Sequence, residues 1–315
     1  MKKDSSIKIF AGTSHPELAK EIADCLEVPM SEMIISKFAC GEIYAKPAHT
    51  IRGDDIFVLQ TASANVNEDL MELFIMLDSL KRSFAGKIHV VMPHYAYARQ
   101  DRVATPREPI SAKMVADLIS TAGADHVITM KLHSDQEQGF FDFPVDNIPT
   151  EKLFADYFAT KNLENVVVVS PDAGGAKDAK KFADLMGADL AIIHKQRPEH
   201  NKSEVMHVVG EVDGKTCVIY DDMVDTGGSV VAAINALKEM GAGDIYLAAS
   251  HAVFSDPAAE RLASADFKEV VVTNSIPIPK EKRFEGLKVL SVAPLLARVI
   301  RNVHEAKSVT VAMSE

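Results

Sequence analysis

Apolar and polar positions alternate along this chain in two rhythms that take turns. Short runs rich in β-branched and apolar residues, IKIFAG at 7–12, IFVLQT at 56–61 and KIHVVMP at 87–93, read as strands. Between the second and third of these, residues 67–84 carry apolar side chains at helical spacing. A further helix is predicted over 111–123, where Met114, Val115, Leu118 and Ile119 recur at that spacing and Gly123 offers a stop. It leads into the strand HVITMKL at 126–132. The scheme then starts again, with NVVVVS at 165–170, a helix over 176–187 and DLAIIHK at 189–195. A hairpin turned at Asp213-Gly214, the strand TCVIYDD at 216–222, a helix from Gly228 to Met240 and strands at 244–250 and 269–273 complete it.

Such alternation builds α/β layers with largely parallel sheets, and its repetition predicts two similar doubly wound domains. The first is expected over 1–148 and the second over 149–286, parted near Pro149 where Pro and Asn interrupt the pattern. The last strand and helix, within 287–315, are expected to rejoin the first domain. Length agrees, since 315 residues exceed the usual single core of about 100 to 200.

Composition narrows the partners. Hydrophobic residues make up 47% and charged residues 25%, ordinary for a globular chain, and no biased tract suggests disorder or a fibre. The net charge of −11 argues against broad contact with nucleic acid or an anionic membrane, which need a basic surface. A small anionic substrate would instead be held by a local cluster of cations, by helix N-termini and by a metal ion. The opening MKKDSSIKIF lacks the apolar core of a signal peptide, and no apolar run approaches the roughly 18 residues of a membrane span. A cytoplasmic protein is expected. Cys25, Cys40 and Cys217 are odd in number and widely spaced, which suits reduced thiols and neither a zinc site nor a disulfide framework.

The strongest chemical signal is VIYDDMVDTGGSVVAAINAL, residues 218–237. Two carboxylates, Asp221 and Asp222, close an apolar strand, and Asp225-Thr226-Gly227-Gly228-Ser229 opens an amphipathic helix. The glycines let the backbone approach a ligand, and the helix N-terminus turns free N–H groups toward a phosphate. Thr226 and Ser229 add hydroxyl donors, while Asp221 and Asp222 suit either ribose hydroxyls or a hydrated Mg²⁺. Any one of Asp225, Thr226 and Ser229 would serve as an ordinary helix cap. A cap, however, needs neither paired glycines nor an acidic pair upstream. The chain has no GxxxxGK[ST] or GxGxxG loop, so the common nucleotide motifs do not account for it.

This string resembles the loop with which phosphoribosyltransferases and PRPP synthetases bind the activated sugar 5-phosphoribosyl diphosphate. The likeness to PRPP synthetases, the ribose-phosphate diphosphokinases, extends over nearly the whole chain. It runs through NEDLMELFIMLDSLKR (67–82), VVMPHYAYARQDR (90–102), REPISAKMVADL (107–118), LHSDQEQGFFDFPVDN (132–147) and VVSPDAGG (168–175). It implies two domains of phosphoribosyltransferase type, ATP and ribose 5-phosphate as substrates, Mg²⁺ as cofactor, and transfer of diphosphate to give PRPP and AMP.

Residue by residue, the resemblance implies that Arg99, Gln100 and Asp101 contact ATP, together with Phe38, Cys40, Gly41 and Glu42 in the segment that meets adenine. It assigns His133 to the Mg²⁺ on ATP, and Asp172 to metal and ribose. Lys195 and Arg197 are the matching catalytic cations of a loop that closes over the reaction, and Arg197 also meets substrate. Asp221, Asp222, Asp225, Thr226, Gly227, Gly228 and Ser229 take ribose 5-phosphate. The family is usually a homo-oligomer, a hexamer built from dimers, and Phe38 and Glu42 are then expected to reach across an interface. Cys40 stands where the family has Asp or Asn, Lys131 where it has Asp, and Ser229 where it has Thr. A phosphoribosyltransferase would share the sugar loop but leave the ATP-like segments unexplained. A non-catalytic regulatory subunit would account for Cys40 and Lys131, yet be expected to lose Lys195, Arg197 and His133.

Overall fold

The computed structural model describes residues 6–196 and 205–314, which form two compact units. The first unit runs to Pro149 and includes 275–277 and 291–315. Its elements in order are β1 (Ile7–Ala11), α1 (Pro16–Leu26), a hairpin of β2 (Met33–Lys37) and β3 (Ile43–Pro47), β4 (Asp55–Leu59), α2 (Val66–Arg82), β5 (Lys87–Met92), α3 (Ser111–Ala122), β6 (His126–Met130) and β7 (Val145–Ile148). The five-stranded sheet is ordered β1-β4-β5-β6-β7 and its neighbours are all parallel. A parallel bridge from Met30 to Ile9 adds a stretch of chain on the free edge of β1. The winding therefore reverses between β1 and β4. Phe10, Val58 and Val90 from the sheet share one buried cluster with Leu73, Met76, Leu77 and Leu80 of α2 and Val115 and Ile119 of α3.

Two helices depart from expectation. α2 stops at Arg82 because Phe84, two residues on, adopts a φ of 66°, which no helix continues. Of the four apolar positions that marked α3, Val115 and Ile119 are buried, while Met114 and Leu118 are exposed. Its end at Gly123, with φ 119°, follows the pattern.

The second unit, 150–274 with 278–290, contains α4 (Glu151–Ala159), β8 (Val166–Ser170), α5 (Ala176–Met186), β9 (Asp189–Gln196), β10 (Val205–Val209), β11 (Thr216–Val224), α6 (Gly228–Glu239), β12 (Ile245–Ala252), α7 (Ala258–Ala263), β13 (Glu269–Thr273) and β14 (Leu287–Leu290). Its sheet is ordered β10-β9-β8-β11-β12-β13-β14, parallel except for β10. The winding reverses again, here between β8 and β11. Both faces are covered, so successive residues of β11 enter different clusters. Cys217 and Ile219 pack with Ile234, Leu237 and Leu247, whereas Val218 and Tyr220 pack with Phe154, Phe158 and Phe182.

The turn at Asp213-Gly214 does not make a hairpin. β10 pairs antiparallel with β9, and β11 lies on the far side of β8, so the turn belongs to a crossover. The alternation near 205–224 is satisfied by either partner, and only sheet order distinguishes them. Similarly, β14 pairs with β13, so residues 287–290 belong to the second unit's sheet instead of rejoining the first. The chain returns at Ser291, and α8 (Ala293–His304) then packs on α1 in the first unit, followed by α9 (Val309–Ser314). Among the described residues no helix is long and apolar enough to cross a membrane.

Candidate active site

Open α/β sheets bind ligands beyond the carboxyl ends of the strands where the winding reverses. In the second unit, that position is formed by the segments after β8 and at the end of β11. After β8, the Ser170 hydroxyl donates to the Asp172 carbonyl at 2.7 Å, and Oδ1 of Asp172 accepts the Gly175 N–H at 2.9 Å. The loop closes this tightly because a Cβ on Gly174 would lie 3.2 Å from Asp172 Oδ1 and one on Gly175 3.1 Å from Ser170 Oγ. Asp172 itself is exposed.

β11 continues past the acidic pair, with Met223 and Val224 still paired to β12. Asp221 and Asp222 therefore lie inside the strand and do not end it as the sequence suggested. The Asp222 N–H donates to Asp221 Oδ1 at 2.9 Å. Burial, followed by the charge of Asp222 and with a further contribution from Asp172, pushes the Asp221 carboxyl well above the ordinary carboxylate range. Three acidic groups thus crowd one strand edge.

The capping position of α6 falls on Gly227, which has no side chain to cap with, so Asp225, Thr226 and Ser229 do not occupy it. Gly227 holds a φ of 74°, a conformation that favours glycine. Its would-be Cβ makes only ordinary contact with Ala258, so the backbone angle, not crowding, sets the requirement. Thr226 and Ser229 are exposed at the mouth of the helix, beside Gly228. Lys195 lies near the end of β9, opposite Met206, and Arg197 lies outside the described residues.

The corresponding crevice of the first unit, between β1 and β4, is filled by the protein itself. The N–H and hydroxyl of Thr13 donate to Glu72 Oε1 at 2.6 and 3.0 Å, and Gln60 Nε2 donates to the same oxygen at 2.9 Å. The Ser14 hydroxyl donates to Gln60 Oε1 at 2.7 Å. A Cβ on Gly12 would stand 2.2 Å from Gln60 Oε1. The exposed candidates of this unit lie one and two strands further along. After β5, Arg99 and Gln100 are exposed and Asp101 half-buried. The Gln100 N–H donates to the Tyr97 carbonyl at 2.9 Å, and its side-chain oxygen accepts the Ser111 hydroxyl. Tyr95, buried, donates to the Ala112 carbonyl at 2.8 Å beneath them.

After β6, His133 is exposed, and Lys131 before it is 8% exposed with a φ of 43°. The β2–β3 hairpin turns through Gly41, φ 94°, with the Gly41 N–H on the Phe38 carbonyl at 2.8 Å and the Phe38 N–H on the Glu42 carbonyl at 2.9 Å. Phe38, Cys40 and Glu42 are exposed there, and Phe38 meets Tyr44 edge to face at 6.0 Å. Lys37 pairs with Glu68 in the first turn of α2. Sequence reading gave no holding role to Tyr97 and Asn67, although both fall within matched segments, nor to Arg261, which reaches the Thr226 carbonyl from α7 and belongs to no quoted motif.

A hollow of about 760 Å³ in the first unit, lined by Asp55, His89, His126, Asp146 and His304 among others, opens at the amino ends of the strands. It is at the opposite sheet edge from the candidates above. His126 Nε2 lies 3.1 Å from Asp146 and His126 Nδ1 3.0 Å from His89 Nδ1. With Nε2–H given to the carboxylate, His126 Nδ1 accepts from His89 Nδ1–H. Among the described residues no group of three or more His, Cys, Asp or Glu is arranged to hold a metal ion unaided.

Comparison with known proteins follows the same geography. The family model described as the N-terminal domain of ribose phosphate pyrophosphokinase matches residues 7–123, and the phosphoribosyl synthetase-associated domain matches 197–313. A ribose-phosphate pyrophosphokinase of Bacillus caldolyticus is 51% identical over 97% of this chain and 97% of its own, and one of Bacillus subtilis is 49% identical over 98% and 97%. The crystal structure of phosphoribosylpyrophosphate synthetase from Mycobacterium smegmatis superposes with a TM-score of 0.92 at 49% identity, covering 96% of this chain and all of that one. Similarity at this level over nearly the full length of both partners places the chain in the ribose-phosphate pyrophosphokinase family.

Proposed function

We propose that this enzyme transfers the terminal diphosphate of ATP to the anomeric hydroxyl of ribose 5-phosphate, giving PRPP and AMP. The observation that carries the reading is the crevice between β8 and β11, where the charges of Asp222 and Asp172 bear on Asp221 and α6 starts at Gly227 with no capping side chain. The first N–H groups of α6, with Thr226, Gly227, Gly228 and Ser229, bind the 5-phosphate, as helix N-termini bind anions generally. Asp221, Asp222 and Asp225 orient the ribose hydroxyls. Arg99, Gln100 and Asp101, with Phe38, Cys40, Gly41 and Glu42, take the nucleotide.

The anomeric oxygen attacks the β-phosphorus in line, its bond to that phosphorus forms as the bond to the α–β bridging oxygen breaks, and AMP leaves. Positioning and charge stabilisation supply most of the acceleration. Lys195 and Arg197 place cations against the phosphoryl oxygens, lysine as a point charge and arginine as a bidentate fork. The donor set fits Mg²⁺, which takes one or two carboxylates and completes its shell with water and substrate phosphates. The carboxyl of Asp221, whose charged form burial and Asp222 disfavour, suits a neighbouring cation. His133 would help hold the ion that accompanies ATP, and Asp172 would help hold one at the ribose. Bound there, Mg²⁺ neutralises phosphate charge. The same reading carries a cytoplasmic homo-oligomer, a hexamer, in which exposed Phe38 and Glu42 serve a neighbouring subunit.

Incubating the protein with ribose 5-phosphate, ATP and Mg²⁺ tests this. Equal formation of AMP and PRPP, abolished without Mg²⁺ and lost by a factor of about 10² or more in Lys195→Ala, is the expected result. Folded protein that turns over no nucleoside triphosphate would refute it.

A further inference from the structure

The sugar-phosphate loop rests on a second element that carries a cation. Gly227 lies over α7, its position for a Cβ 3.6 Å from the Ala258 backbone, and Ala258 is fully buried. From the last turn of that short helix, Arg261 sends Nη1 to the carbonyl of Thr226 at 3.1 Å. The same nitrogen is 3.6 Å from where a Gly228 Cβ would be. The Arg261 side chain is exposed, and among the described residues no carboxylate forms an ion pair with it.

A trans peptide turns its C=O and the following N–H in opposite directions. A donor that captures the Thr226 carbonyl therefore turns the Gly227 N–H away from itself, toward the mouth of α6. Gly227 has no Cβ and holds φ 74°, so its flanking peptides are otherwise free to rotate into conformations that would direct this N–H elsewhere. The guanidinium also brings an unneutralised positive charge to a unit edge dominated by Asp172, Asp221 and Asp222. That charge offsets the repulsion those carboxylates would exert on an incoming phosphate.

We propose that Arg261 is a positioning residue for the phosphate of ribose 5-phosphate, orienting the Thr226–Gly227 peptide and supplying the cation beside the loop. The inference rests on the reading of this loop as the sugar-phosphate site. It predicts a defect confined to one substrate, because α7 touches the loop and none of the nucleotide segments is among its hydrogen-bond partners.

Arg261→Met, which keeps the apolar stem but neither donor nor charge, is compared with wild type and with Arg261→Gln, which keeps an N–H donor without the charge. Steady-state kinetics are measured for each substrate separately, and ribose 5-phosphate binding by titration calorimetry without ATP. The expected result for Met is a rise of about 10-fold in KM and Kd for ribose 5-phosphate, the scale of one charge-assisted hydrogen bond, with KM for ATP and kcat at saturation within about 2-fold. Gln should fall between Met and wild type. Ribose 5-phosphate affinity unchanged in Met, or a matching loss for both substrates, would overturn the proposal. Should Met fail to fold, Gln decides alone, and wild-type affinity in it is the overturning outcome. A wild-type protein that binds no ribose 5-phosphate would sink the assignment of the loop itself, a result distinct from wild-type binding that survives removal of Arg261.

Discussion

The phenolic hydroxyl of Tyr97 donates a hydrogen bond to Oδ1 of Asn67, tying the loop that carries Arg99, Gln100 and Asp101 to the first turn of α2. Tyr97 holds a φ of 62°, a left-handed angle that a bulky residue adopts only when its surroundings enforce it. Asn67 is next to Glu68, whose ion pair with Lys37 reaches the β2–β3 hairpin, so one helical turn mounts both segments proposed to take the nucleotide. Tyr97→Phe removes the donor and leaves the ring. It should raise KM for ATP by about 5-fold, the worth of one hydrogen bond, and leave KM for ribose 5-phosphate unchanged. Asn67→Asp, which keeps the acceptor, should lie closer to wild type than Asn67→Ala in the same kinetic comparison.

Asp221 links stability to function in opposite directions. Its folded-state pKa is raised by burial and by Asp222, above the 3.8 of an unperturbed carboxyl. A raised carboxyl pKa means the folded chain holds its proton more tightly than the unfolded one, so stability falls as pH rises from that ordinary value through the folded pKa. At neutral pH the crowded charge is therefore a cost. Asp221→Asn should raise the melting temperature at pH 7 by about 2 to 4 °C, measured calorimetrically, while PRPP formation drops by a factor of about 10 or more. A lower melting temperature would show that the carboxylate stabilises the empty site.

His89 sets a pH dependence at the other edge of the first unit's sheet. Burial, then the neighbouring His126, depress its pKa from 6.5 to about 4, against a smaller opposing pull from Asp55, with Lys87 and His304 also adding to the depression. The ring stacks on Phe57 at a centroid distance of 4.4 Å. Because the unfolded chain takes the proton first, the stability this neutral imidazole contributes is intact above 6.5 and is lost as pH falls from 6.5 to about 4. The loss should reach about 2 to 3 kcal/mol across that window. Denaturant unfolding at a series of pH values measures it, and His89→Phe, which retains the stack, should flatten the slope.

Much of the candidate site was legible because its residues are contiguous. Asp221 through Ser229 form a single strand–loop–helix unit in which backbone geometry, glycine positions and donor groups are all local, and the same holds for Arg99 through Asp101 after β5. The two-unit α/β plan was equally accessible, since the change from strand-like to helical spacing is a local property of the apolar pattern. The turn at Asp213-Gly214 misled because turn chemistry is local whereas strand pairing is not. β11 could accept either β10 or β8 as a neighbour, and packing across the whole sheet chose β8.

What the sequence alone determined about this protein was therefore the order and type of its elements, its family resemblance and the identity of its motif residues. Tertiary structure alone decided that the β1–β4 crevice is plugged by Glu72, Gln60 and Thr13. It also decided that Asp221 and Asp222 sit within a strand, and that Asn67 and Arg261 hold the loops after β5 and before α6. These are contacts between residues tens of positions apart. Their energies depend on distance, burial and orientation in space, quantities that no local spacing of residues encodes.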